Sequence, residues 1–161
     1  VLYKMNNRSD RPGYGYQLQK GATALTESWE ALSDVSNNHM MLGHLMEWFY
    51  SGLGGIYQAE NSVAYKNLII APKPVGDIKW VKCSFKSPQG LIVSEWKRNG
   101  NKFTMHIEIP KKSSAKIILP DEFKNSKVVI VNILDQKPMY VEMNEGIFYL
   151  ESGNFRIISN K

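Results

Sequence analysis

Two textures of apolar and polar positions divide this chain. Residues 1 to about 65 carry helical patterns, and residues from about 66 onward alternate with period two. The clearest helix starts at Ser36-Asn37-Asn38, whose short polar side chains suit a helix N-terminus. It runs from 39 to 50, and Leu42, Leu45, Met46, Phe49 and Leu53 recur at helical spacing on one face. Met40, Met41, Trp48 and Tyr50 lie off that stripe, so this helix is expected to pack on more than one side. Ser51-Gly52-Leu53-Gly54-Gly55 ends it, because glycine takes the left-handed conformation that helix C-termini favour. Upstream, a helix capped by Thr23 would turn Leu25, Trp29 and Leu32 inward and leave Glu27, Glu30 and Asp34 in water.

In the second half, Leu68 to Ile70 lead into Ala71-Pro72-Lys73-Pro74, where proline limits strand continuation. Ile78 and Trp80, then Val81, Cys83 and Phe85, predict a strand with a bulge where the phase slips. Ser87-Pro88-Gln89-Gly90 is a turn before a strand from Leu91 to Trp96. Asn99-Gly100 marks a hairpin, and Phe103, Met105, Ile107 and Ile109 then face one way. Further short runs follow at Ala115 to Leu119, Val128 to Ile133, Ile147 to Leu150 and Phe155 to Ile158. Closely spaced strands with no helical pattern between them predict an antiparallel β-sandwich. The expected class is therefore α+β, with helices in residues 1–65 and a sandwich in residues 66–161.

The chain has 161 residues, 43% hydrophobic and 22% charged, which is ordinary for a globular protein. Its net charge of +5 could attract a polyanion. Many of the basic residues (Lys79, Lys82, Lys86, Lys97, Arg98, Lys102) are spread through the strands, as on the solvent face of a sheet. No nucleic-acid partner is expected from that pattern. No apolar run reaches the roughly 18 residues of a membrane helix, so no membrane partner is expected. The start, Val1-Leu2-Tyr3-Lys4-Met5, lacks the features of a signal peptide. It also lacks an initiator Met, which is expected of a piece of a longer protein. The compartment stays open between periplasmic, secreted and cytoplasmic. Cys83 is the lone cysteine and reads as a small buried hydrophobe.

Candidate chemistry centres on Glu27, Trp29 and His39. A sugar-processing site needs a carboxyl group, a flat apolar platform and a polar orienting group, and these three residues supply one of each. Taken alone, Glu27 also reads as a solvated helix position and His39 as a first-turn structural residue. His44 and His106 have no partners at metal-ligand spacing, no phosphate loop or nucleophile elbow occurs, and neither metal nor cofactor is expected.

The order of the motifs changes this balance. Gly13-Tyr14-Gly15-Tyr16, then Gly21-Ala22-Thr23-x-x-x-Glu27-x-Trp29, then Asn38-His39, then Glu47-Trp48-Phe49-Tyr50 resembles the C-terminal portion of bacterial α-L-rhamnosidases, glycoside hydrolase family 78. Ile70-Ala71-Pro72-Lys73-Pro74, the Trp80 strand and Ser87-Pro88-x-Gly90 resemble that family's passage into a C-terminal β-sandwich. The likeness fades after Pro120.

The resemblance implies the end of an (α/α)6 catalytic barrel followed by the sandwich, and hydrolysis of a rhamnose-containing glycoside with inversion. It implies Glu27 as general base, His39 lining the rhamnose pocket and Trp29 flanking the sugar. Tyr14 and Tyr16 are substrate-side candidates from the same series. Thr26 stands where the family often has tryptophan, and the loop between Trp29 and Asn38 is shorter than usual. The family carries its general acid in an acidic cluster well upstream, and only Asp10 precedes Tyr14 here. A partial barrel would leave the helix at 37–53 bare, so self-association through it, or its folding back on the sandwich, is expected. The alternatives are a non-catalytic carbohydrate-binding or structural β-sandwich module, and an unrelated interaction domain.

Overall fold

A computed structural model describes residues 1–161. The chain forms two compact units, Val1–Glu47 and Trp48–Lys161. No helix is long and apolar enough to cross a membrane.

The second unit is built from two sheets. The 4-stranded sheet has the order β1 (Ile56–Gln58), β2 (Asn67–Ile70), β6 (Ser114–Ile118), β9 (Ile147–Leu150). The 6-stranded sheet has the order β3 (Trp80–Ser87), β4 (Gly90–Asn99), β5 (Lys102–Ile109), β10 (Gly153–Asn160), β7 (Lys127–Asn132), β8 (Pro138–Met139). Strand alternation explains the burial. Along β5, Phe103, Met105, Ile107 and Ile109 are buried while Thr104, His106 and Glu108 between them are not. Leu68, Ile70, Ile117 and Phe148 of the small sheet share one core with Ile92, Trp96, Phe155 and Ile157 of the large one. Each such side chain contributes about 1.5–3 kcal/mol on burial. The Phe103 ring meets Trp96 at 5.8 Å and Phe123 at 5.1 Å, so aromatics fill one end of that core.

The sandwich follows the expected antiparallel plan with one exception: β2 and β6 pair in parallel. The chain leaves the small sheet after β2, builds β3 to β5 in the large one, and returns as β6. Such a long crossover is what a parallel ladder requires. The expected bulge in β3 is absent, since the β3–β4 register is unbroken from Trp80↔Lys97 to Ser87↔Gly90. The phase slip arises because Ile78 precedes the strand and Trp80, its first residue, points outward. The β4–β5 hairpin turns at Gly100-Asn101, one residue later than Asn99-Gly100. Gly100 supplies the positive φ of 54° at the first central position that a type II′ turn needs.

The passage into the sandwich is tightly locked. Ser94 donates from Oγ to the Gly54 carbonyl at 2.6 Å, and Trp96 Nε1 donates to the Leu53 carbonyl at 2.7 Å. A Cβ at Gly54 would lie 2.5 Å from Cys83 Sγ, and one at Gly55, where φ is 72°, would collide with the Pro72 backbone. Gly54 keeps right-handed helical dihedrals, with φ −73°, so packing alone requires glycine there, while Gly55 answers to both packing and its positive φ. The helical stretch in fact continues to Leu53. It is 3₁₀ at Met40–His44, α-helical at α3 (Leu45–Trp48) and π at Phe49–Leu53. Its N-cap is His39, with no side-chain cap bond. The Ser36 hydroxyl instead accepts the Asn38 amide at 3.2 Å, within the preceding turn.

The first unit contains α1 (Leu2–Asn6), α2 (Tyr14–Gln19) and a long irregular loop before Met40. The helix considered over 23–34 does not form. Ala31 sits at a φ of 53°, and the Glu30 amide donates to the Ser28 hydroxyl at 3.0 Å rather than into a helical ladder. The first unit buries only Gly13, Gln17 and Thr26, so it has no apolar core of its own. Leu18, Met40 and Met41 are more than 70% exposed. Cooperative stability therefore resides in the second unit. Hydrogen-exchange mass spectrometry is expected to find strong protection in β4, β5 and β10 and far faster exchange across residues 1–47. Equal protection of the two units would contradict this.

Candidate functional site

The Gly-Tyr-Gly-Tyr motif opens α2 and explains itself by packing. A Cβ at Gly13 would lie 2.8 Å from the Met5 carbonyl oxygen, and one at Gly15 would strike the Arg8 carbonyl. Both glycines thus let α2 approach the segment before it. The motif's two tyrosines diverge, because positions two apart on a helix do not share a face. Tyr14 donates its hydroxyl to the Leu42 carbonyl and meets the Trp29 ring edge-on at 5.9 Å. Tyr16 donates to Glu30, with Oε2 at 2.8 Å, and Lys20 reaches the same carboxylate at 3.5 Å. Tyr14 therefore lies beside Trp29, while Tyr16 serves Glu30 rather than Glu27.

One buried polar side chain organises the loop that carries Glu27. Gln17, on α2, is 3% exposed. Its Nε2 donates to Thr26 Oγ1 at 2.7 Å, to the Thr26 carbonyl at 3.0 Å and to the Ser28 carbonyl at 3.0 Å. Thr26 Oγ1 donates in turn to the Ser28 carbonyl at 2.5 Å. Thr26 is itself 2% exposed. Glu27 is thus flanked on both sides by residues bonded to one amide. Its own side chain is exposed, so solvent reaches the carboxylate.

Backbone pairing brings the second candidate alongside. The Glu27 amide donates to the Ser36 carbonyl at 2.8 Å, and the His39 amide donates to the Leu25 carbonyl at 2.8 Å. Residues 25–27 and 36–39 therefore run side by side, with the turn at 28–31 between them. Glu27 and His39 stand on adjoining segments, and both Trp29 and His39 are half-buried. Gln17 and Thr26 escaped the sequence reading. Gln17 carries no local mark that separates it from exposed Gln19, and Thr26 stands out in the sequence only as a departure from the usual tryptophan.

No group of three or more His, Cys, Asp and Glu side chains converges to hold a metal. Cys83 is half-buried, and burial pushes its thiol above the ordinary range, which disfavours a nucleophilic role.

Residues 1–53 match the family model for the bacterial α-L-rhamnosidase 6-hairpin glycosidase domain, and residues 55–132 match that for the bacterial α-L-rhamnosidase C-terminal domain. The chain belongs to the bacterial α-L-rhamnosidase family, as a C-terminal portion. An α-L-rhamnosidase of Formosa agariphila is 27% identical over all of this chain and 18% of its own length. One of Streptomyces avermitilis is 26% identical over 74% of this chain and 12% of its own length. The chain thus spans under a fifth of these curated relatives. The α-L-rhamnosidase structure from Dictyoglumus thermophilum superposes with a TM-score of 0.81 at 29% identity, over 99% of this chain and 18% of that one. The Streptomyces avermitilis α-L-rhamnosidase complexed with L-rhamnose shares the fold, at a TM-score of 0.79 and 23% identity over 97% of this chain and 16% of that one. The likeness therefore continues well past Pro120, where the sequence motifs had faded.

Among rhamnosidase-matched residues, Asp10 is the acid that precedes the Tyr14 motif. Arg8 holds it through two bonds, Nε to Oδ1 at 2.9 Å and Nη2 to Oδ2 at 2.7 Å. The Arg8 hydrogen bond lowers the Asp10 carboxyl from its ordinary 3.8 to about 2. Any stability from the pair is therefore present above pH 3.8 and lost as pH falls through about 2. A carboxyl that has lost its proton at working pH cannot donate one. An NMR titration should place the Asp10 midpoint near 2, and Arg8→Ala should return it toward 3.8. A midpoint unmoved by that substitution would remove the Arg8 explanation.

Proposed function

We propose that this chain is part of an inverting α-L-rhamnosidase that releases terminal α-L-rhamnose from glycosides or polysaccharides, with Glu27 as its general base. The observation that carries the reading is the placement of Glu27, exposed on a loop that Gln17 pins from below. An inverting glycosidase uses one carboxylate to activate water and one carboxylic acid to protonate the leaving oxygen, roughly 6.5–9.5 Å apart. Glu27 is open to the water it would activate. Trp29, braced by Tyr14, would offer an apolar plane to a deoxy sugar, and His39 would hydrogen-bond ring hydroxyls. Tyr16 would act indirectly, by holding Glu30 and hence the loop.

The general acid is assigned to the upstream part of the enzyme. Asp10 is ionised by Arg8, and Glu30 is committed to Tyr16 and Lys20. On this reading the barrel's contribution lies within residues 1–65, and the sandwich begins inside that stretch at β1. In the rhamnosidase that contains this chain, Glu27→Gln should lower kcat by about 10²–10⁴ while rhamnose affinity persists. The 161-residue chain alone should not turn over an aryl α-L-rhamnoside. Unchanged turnover in Glu27→Gln would support the alternative, a non-catalytic carbohydrate-binding or structural module.

The exposed apolar side chains of the first unit are the surfaces that further barrel helices would cover. Met40 and Met41 are 74% and 72% exposed, and Met46 is 51% exposed. Without those helices the chain is expected to self-associate through residues 37–53. Light scattering should then report a mass above one chain that falls when Met40, Met41 and Met46 become serine. A monomer at high micromolar concentration would refute that interface.

A further inference from the structure

The outer face of the 6-stranded sheet is the side turned away from the core. The register aligns its residues in rows: Trp80, Lys97, Thr104 and Ile158 form one, and Lys82, Glu95, His106 and Arg156 the next. The face is cationic. It presents Lys82, Lys86, Lys97, Lys102, Lys127 and Arg156 against two carboxylates, Glu95 and Glu108. Glu95 is already engaged, its Oε2 3.4 Å from His106 Nδ1, while His106 Nε2 lies 2.8 Å from Asn154 Oδ1.

Trp80 is the aromatic residue of these rows, and 62% of its surface is open to water. Its indole stands between two depressions. One is about 360 Å³ and is edged by Lys82, Glu95, Thr104 and His106. The other, about 590 Å³, is edged by Asp77, Lys79, Arg98 and Glu122. Lys97 borders both. Arg98 is held in place by the Ile78 carbonyl at 2.8 Å and by Glu122 at 3.6 Å, so the second depression has a fixed wall.

We propose that this face binds an anionic saccharide, a chain of uronate-bearing pyranoses with one ring stacked on Trp80. A pyranose has an apolar C–H face and a polar rim. The indole takes the face, and the two depressions, each edged by charged side chains, take the neighbouring sugars. Lys97 lies directly opposite Trp80 and Lys82 two residues along the strand, both within roughly 7 Å at the backbone. They can meet the carboxylate of the stacked ring or of the next one. A single aromatic platform suits a sugar chain better than single-stranded nucleic acid, which uses successive aromatic stacks. The inference is independent of Glu27 and of the rhamnose pocket, and Glu27→Gln must leave this binding unchanged.

The test is an NMR titration of the 161-residue chain with oligogalacturonate. The same oligomer fully methyl-esterified and an oligothymidylate of equal length serve as comparisons. Saturable shifts are expected at the Trp80 indole N–H and at the Lys82, Thr104 and His106 amides. Trp80→Ala should weaken binding about tenfold, and Lys82→Gln with Lys97→Gln should weaken it and flatten its salt dependence. Both sites are exposed, and circular dichroism checks that each variant folds. The ester should bind much more weakly than the acid. Four results would overturn the proposal: no saturation at millimolar ligand, Trp80→Ala binding as well as the parent, the ester matching the acid, or oligothymidylate matching the saccharide.

Discussion

The buried amide of Gln17 is the interaction on which the candidate site depends. A unit without an apolar core cannot position a loop by hydrophobic packing, so it does so by hydrogen bonds out of water. Gln17 Nε2 serves the Thr26 carbonyl and hydroxyl and the Ser28 carbonyl together. A buried acceptor left unpaired costs about 1–3 kcal/mol, and loss of this amide would take that bond from the Thr26 carbonyl, while the Ser28 carbonyl keeps the Thr26 hydroxyl. Around that point the other contacts follow. The two glycines of the Gly-Tyr-Gly-Tyr motif bring α2 close, Tyr14 braces Trp29, and Tyr16 holds Glu30. Thr26 is intelligible in this setting. A hydroxyl completes the buried bonding, and an indole there would need another arrangement.

The second unit works by the opposite physics. Its sheets bury isoleucine, leucine and phenylalanine in one continuous core, and that burial needs no partner. Inside it, Ser94 and Trp96 take the carbonyls of Gly54 and Leu53. There the sandwich grips the chain that leads into it. Glycine is required on geometric grounds, since Cβ atoms would meet Cys83 at Gly54 and Pro72 at Gly55. The sandwich therefore fixes the segment just past the helical stretch with its own core residues.

How much of this was legible in the sequence follows from what each signal measures. Period-two alternation reports burial on one face of a strand, so β4, β5, β6, β9 and β10 were readable from Ile92, Phe103, Ile117, Phe148 and Ile157. β1 and β8 were not, because three or two residues carry no period. The helix over 23–34 was read from spacing alone, and local competition defeated it when Ser28 captured the Glu30 amide. The helical stretch at 40–53 was read correctly in place but not in its hydrogen bonding. The spacing of Leu42, Leu45, Met46 and Phe49 does not distinguish 3₁₀, α and π turns. Of the candidate site, Glu27, Trp29 and His39 were visible through their order along the chain. Gln17 was invisible, since its importance lies in a contact nine residues away that no local pattern encodes.

The division between the two physics bears on how a rhamnosidase would use this portion. A catalytic base must be held firmly yet remain open to the water it activates. A hydrophobic surround would hold it but exclude the water and oppose its charge. The Gln17 arrangement fixes the backbone on both sides of Glu27 and leaves the carboxylate in solvent. The cost is a unit that buries almost nothing apolar, with Met40, Met41 and Leu18 in water. Burial of those side chains by a partner would stabilise such a unit. On the proposal that Glu27 is the base and its partner acid lies elsewhere in the rhamnosidase, a segment that brought the acid to Glu27 would also be placed to cover apolar side chains of this unit.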